Sequence, residues 1–146
     1  MRLSHVAMAA IAAVLPAPGA TCDRACLKLS LDQYLQAVLK HDPKAAPRSL
    51  SCRHTENALL TKLGEGAWKS MTAIGSVDRR YYDPVTEQAA FFGVLNEGSK
   101  PTVTTVRMRV EDRRITEGEW IIAPRRRGNQ RFRRPRQTPS VRVLAR

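Results

Sequence analysis

The chain has 146 residues, 42% of them hydrophobic and 5% aromatic, with a mean hydropathy of −0.37. That is one domain's length with enough apolar material for a core, which excludes a fibrous protein, an integral membrane bundle and a fully disordered chain. The formal charge of +12 points first to nucleic acid, but residues 123–146 hold nine Arg and no acid, whereas residues 21–122 hold 15 Lys and Arg against 13 Asp and Glu, and so near-neutral a middle excludes a uniformly basic nucleic-acid domain.

At the N-terminus Arg2 precedes Val6–Leu15, an unbroken run of ten apolar residues, and Pro16-Ala17-Pro18-Gly19-Ala20 follows it. A charged, then apolar, then small-residue order is that of a secretory signal peptide, and ten residues fall short of the ~20 that a membrane-spanning helix needs. Residues 1–20 are expected to be removed on export, leaving a secreted or periplasmic chain with no membrane span. Cysteine usage agrees: Cys22 and Cys26 lie four apart beside a helix start, where two thiols can approach bonding distance in an oxidising compartment. They are the expected disulfide, with Cys52 reduced and buried. Without a CxxC pairing or a dense His/Asp cluster, no metal site is expected.

From Arg24 to Lys40, apolar residues fall at Leu27, Leu31, Tyr34, Leu35, Val38 and Leu39, a spacing of three and four that predicts a one-faced helix. Asp23 supplies the cap oxygen and Pro43 ends the helix. Pro43–Pro47 reads as a linker or short turn, Ser51–Leu60 as extended or mixed, and Gly66–Ala73 as a short helix carrying Trp68 and Met71. After Gly75 the period changes to two. Strands are predicted at Val77–Tyr82, Glu87–Asn96, Thr102–Glu111 and Ile115–Ala123, with turns at Asp83-Pro84, Glu97–Pro101 and Asp112–Arg114. Helices followed by an antiparallel meander give an α+β domain over residues 21–123. The remaining residues 124–146, rich in Arg with interrupting Pro and no Lys, read as a disordered tail. That composition fits a basic arm for a polyanion, and it also fits a reading-frame artefact.

The segments Cys22–Pro43, Arg53–Asn57 (RHTEN), Gly64–Trp68 (GEGAW), Tyr81–Pro101 and Met108–Ala123 (MRVEDRRITEGEWIIA) resemble the superfamily shared by nuclear transport factor two and the SnoaL-like polyketide cyclases, over roughly 100 of the 146 residues. The resemblance implies a cone-shaped curved antiparallel sheet wrapped round N-terminal helices, with a pocket at the wide end and, in many members, a homodimer through the exposed sheet face. The superfamily holds isomerases, cyclases, dehydratases and pure binding modules, so the fold alone does not choose among them.

Chemistry-bearing candidates are few. His54 and Glu56 share a strand face and form the candidate catalytic pair, since a base of tuned pKa needs an apolar setting and a polar partner. Asn57, Trp68, Tyr81, Arg107 and Arg109 are the candidate ligand-binding residues; the two arginines share the polar face of the clearest strand, where they bind an anion or pair with Glu117 and Glu119. Cys52 and His54 also lie two apart, but no third group completes a nucleophilic triad. There is no GxGxxG, P-loop, HExxH, GxSxG or EF-hand loop, so no cofactor is expected. The favoured function is an exported domain that binds a small, mostly apolar or weakly anionic molecule. The alternatives are a cofactor-free isomerase, cyclase or dehydratase, and a polyanion-binding protein acting through its arginines.

Overall fold

The computed structural model describes Gly19 and residues 21–123; the rest of the expected signal peptide and the arginine-rich residues 124–146 lie outside the described residues. Helix α1 spans Arg24–Leu39, and Asp23 caps it by accepting from the Cys26 amide at 2.8 Å, which satisfies a donor that the first turn would otherwise leave unpaired. At the other end His41 turns left-handed (φ 55°), while its amide donates to Val38 O and that of Asp42 to Ala37 O, both at 2.9 Å. This paired termination closes the last orphan carbonyls before Pro43. Pro43–Ala45 form one short 3-10 turn, which Asp42 caps at the Lys44 amide.

The strands follow as β1 (Arg48–Glu56), β2 (Leu59–Leu60), β3 (Met71–Asp83), β4 (Gln88–Glu97), β5 (Lys100–Glu111) and β6 (Arg114–Ile122), with a four-residue helix α2 (Ala67–Ser70) before β3. They form one six-stranded sheet in the order β2-β1-β6-β5-β4-β3. The meander β3–β6 is antiparallel as expected. β1 joins it in parallel with β6, so the whole sheet is mixed rather than purely antiparallel. The short helix also differs from the expectation: it stops at Ser70, because Met71 already pairs with Glu97 at the start of β3. The β4–β5 turn tightens to Gly98-Ser99, and Pro101 sits in the first residues of β5, where a proline costs the fewest ladder bonds.

Alternation sorts each strand into two faces. On the inner face, Phe91, Leu95, Val106, Met108, Val110, Ile115 and Trp120 are buried against Leu27, Leu31, Tyr34, Leu35 and Val38 of α1 and Trp68 of α2. At one end of this core, Cys22 and Cys26 form the expected disulfide. Glu87 ties the same end to the sheet: its carboxylate accepts from the Cys22 amide and its carbonyl from the Val110 amide. The outer face carries the register rows Thr55–Glu119–Arg107–Ala90–Tyr81 and Arg53–Glu117–Arg109–Gln88–Asp83 across five strands.

Candidate functional site

β1 alternation turns His54 inward, opposite Gly118 of β6, and the imidazole is fully buried. Its Nε2 donates to Glu56 Oε1 at 3.1 Å, and the same oxygen accepts from the Ala67 amide at 2.9 Å. The carboxylate therefore bridges β1 to the start of α2 and fixes the ring. Glu56 lies so close over Gly66 that a Cβ there would overlap its oxygens, and Gly66 is left-handed (φ +55°), so glycine is required twice over. Around the imidazole stand Trp68 and Trp120, with ring centroids at 6.5 and 6.3 Å, and Tyr34 packs edge-on against Trp68 at 5.4 Å. Trp120 Nε1 donates to the Tyr34 hydroxyl at 2.9 Å. Gly118 leaves room for that hydroxyl: a Cβ on it would come within 2.7 Å of Tyr34 Oη and 3.6 Å of His54 Nδ1. Among the described residues, neither His54 Nδ1 nor Trp68 Nε1 has a hydrogen-bond partner, and orphaned buried polar atoms of this kind call for an occupant or a role.

His54 also lines an open groove of about 510 Å³ with Arg48, Cys52, Arg53, Leu60, Thr61, Lys62 and Leu63. The groove exists because β1 leaves its register with β6 between Arg48 and Arg53, which bulges Ser49–Cys52 away from the sheet, and because the two-residue β2 covers only Thr55 and Glu56. That bulge corrects the expectation of a buried Cys52. The thiol is half-buried on the groove wall, and burial pushes its pKa up while the nearby Arg48 opposes the shift, so it is a poor nucleophile.

The structure divides the sequence-derived candidates. His54, Glu56 and Trp68 meet on the inner side. Tyr81, Arg107 and Arg109 stand on the outer face, across the sheet from them. Arg107 is fully occupied there, donating to Glu119 (3.0 Å), Glu117 (3.1 Å) and Gln88 (2.8 Å), and these acceptors hold its charge more firmly. Arg109 pairs with Glu111 at 2.9 Å. Arg107 lines two outer clefts, one of about 160 Å³ with Arg53, Thr55, Glu117 and Glu119, the other of about 420 Å³ with Tyr81 and Gln88. Asn57 is committed to the fold, since its amide donates to Trp120 O and its Oδ1 accepts from the Ile122 amide. Tyr34, Trp120, Gly118 and the Ala67 amide escaped the sequence reading. Tyr34 showed only as part of the apolar stripe of a helix and Trp120 only as part of a strand, and a separation of 86 positions hides their contact. Among the described residues no group of three or more His, Cys, Asp or Glu could hold a metal ion.

A curved sheet closed over a long helix defines a fold class, and solved structures share that fold. A protein of unknown function with a cystatin-like fold from Methylobium petroleophilum PM1 is 14% identical (TM-score 0.60), the match covering 77% of this chain and 86% of that one. An NTF2-like protein of unknown function from Cytophaga hutchinsonii ATCC 33406 is 12% identical (TM-score 0.52; 67% and 90% covered). AusH from Aspergillus nidulans is 10% identical (TM-score 0.55; 72% and 88% covered). The fold is therefore the NTF2-like one that the sequence resembled. The family described as a domain of unknown function (DUF8021) matches residues 20–122, and the chain belongs to it. No curated protein matches the sequence.

Proposed function

We propose that this is an exported domain that binds a small, mostly apolar or weakly anionic molecule in the groove beside His54. The observation that carries the reading is a buried His54, held by Glu56 and with one ring nitrogen unpartnered, on the lining of an open groove within the ~300–1,000 Å³ range of small-molecule sites. Export is supported by the Cys22–Cys26 disulfide, which suits an oxidising compartment, and by the charged and apolar order of residues 1–20; N-terminal sequencing of the exported protein checks it, and a chain beginning at Met1 refutes it. Among the described residues no helix is long and apolar enough to cross a membrane. The binding test is a thermal-shift screen of apolar acids, alcohols and ketones. Hits should shift Tm for the wild type and lose the shift in a Leu60→Ser/Leu63→Ser variant; a screen without such hits removes the reading.

A cofactor-free enzyme is the second reading, favoured by one detail. Glu56 holds His54 through Nε2, which leaves Nδ1 as the ring nitrogen without a partner, and an imidazole oriented by a carboxylate is the arrangement proton-transfer sites use. Deuterium exchange at acidic C–H positions of a bound ligand, lost in His54→Gln, is the expected signature. Binding without exchange leaves the domain a binding module.

A further inference from the structure

The groove beside His54 carries charge of one sign. Arg48, Arg53 and Lys62 line it, and no acidic residue does. Arg48 is partly engaged, donating from Nε to Pro43 O at 3.1 Å and from a terminal nitrogen to Ser49 O at 3.2 Å. Arg53 and Lys62 form no ion pair among the described residues, whereas Arg80, Arg107 and Arg109 are all paired with carboxylates. The rest of the wall is apolar: Leu60 is 78% exposed on the edge of the sheet, and Leu63 packs one side against the core. The two kinds of surface adjoin along one groove about 510 Å³ in volume.

We propose that this groove is a site for an amphipathic carboxylate, its anionic head held by the Arg48–Arg53–Lys62 cluster and its hydrocarbon body laid along Leu60 and Leu63 toward Cys52 and His54. The assignment rests on the small-molecule reading above and narrows it to a chemical class. Guanidinium and carboxylate match as forked donor and paired acceptor, and the charge-assisted bonds between them are about twice as strong as neutral ones. Like charges without ion-pair partners gathered beside the exposed Leu60 and the half-buried Leu63 gain on both counts from one ligand: the anion relieves their repulsion, and the chain takes apolar surface out of water. Arg53, whose register partner on the outer face is Glu117, borders this groove as well as the outer cleft, because β1 is uncovered at its height: β2 reaches only Thr55 and Glu56.

Cys52 makes the occupancy measurable, since its half-exposed thiol lies on the same wall. The test follows carbamidomethylation of Cys52 in the folded protein by intact mass, with decanoate, decanol or acetate present below micelle-forming concentrations, and measures the affinities by calorimetry. Decanoate should slow the modification at least fivefold and bind at least tenfold tighter than decanol or acetate. Its affinity should fall with added salt and drop about tenfold in Arg53→Gln/Lys62→Gln, with Tm unchanged. Decanol binding as tightly as decanoate overturns the charge assignment and leaves the small-molecule reading standing. Equal affinity of the double variant for decanoate overturns the assignment of the head group. If no apolar ligand protects Cys52 or binds, both readings fall together.

Discussion

Tyr34 shows how much one buried side chain can hold. Its hydroxyl accepts from Trp120, its ring packs edge-on against Trp68, and it is fully buried. Tyr34→Phe keeps the ring but leaves Trp120 Nε1 without its acceptor, a loss of about 1–3 kcal/mol that urea unfolding at pH 7 should report. Burial raises the Tyr34 pKa from 10.0, and the hydrogen bond from Trp120 offsets only part of the rise. The unfolded chain therefore releases this proton near pH 10 while the native state keeps it, so the stability it contributes is complete below pH 10 and declines as pH rises further. Wild-type stability should fall between pH 10 and 11, and Tyr34→Phe should fall less steeply; equal slopes would place the alkaline loss elsewhere. Gly118→Ala tests the same cluster from the opposite strand. Its Cβ would reach 2.7 Å from Tyr34 Oη, and a packed core answers such crowding with about 1–3 kcal/mol of destabilisation. An unchanged Tm would mean that Tyr34 has room to move.

At the level of elements, two clamps fix the helices, one at the start of α1 and one joining α2 to β1 and to the end of α1. The first is the N-terminal disulfide, whose loop spans a separation of only four residues, so chain-entropy arguments give it about 2 kcal/mol. Cys22→Ser/Cys26→Ser should lower stability by that amount without unfolding the domain, as thermal unfolding of the two forms would show; a collapse of the fold would mean that Cys22 and Glu87 carry more than the cross-link suggests. The second clamp is at α2, where the Ala67 amide donates to Glu56 and the Trp68 carbonyl accepts from His41 Nδ1. Most of these elements were legible in the sequence because their signals are local. Asp23 caps the helix as expected, the apolar spacing of α1 matches its buried face, and the alternation in Thr102–Glu111 gives β5 to within two residues. β1 was less legible. Its bulge between Arg48 and Arg53 depends on pairing with β6, more than 60 residues away, and no local pattern encodes such a pairing.

For the whole molecule, the outer face divides into a charged half and an apolar half. Arg107, Glu117, Glu119 and Gln88 form one network, and beyond it Phe92, Val103 and Ile121 lie about half-exposed on neighbouring strands. A homodimer through that apolar half is our proposal for the partner. Sedimentation should show a dimer at tens of micromolar and a monomer for Phe92→Asp/Ile121→Lys, and a monomeric wild type would dismiss it. The nine arginines of residues 123–146 support a separate proposal, a polyanion contact with steep salt dependence. A chain ending at Arg125 should keep its Tm within about 5 °C, the shift that roughly 1 kcal/mol produces, and should lose heparin binding; retained binding would move the contact to the folded domain.

The sequence by itself determined what local physics encodes: the helix and its cap, the meander, the i,i+4 cysteine pair and the two-residue spacing that sets His54 and Glu56 on one face. Tertiary structure decided which face each strand turns inward and what meets there. Parallel pairing of β1 with β6 set His54 opposite Gly118 and sent Arg53 outward beside Glu117. The continuation of that register across β5 placed Arg107 and Arg109 on the far side of the sheet from His54, next to their carboxylate partners. A period of two says only that alternate residues part company. Which set is buried depends on where α1 and α2 lay their apolar faces, and that choice is made by long-range packing.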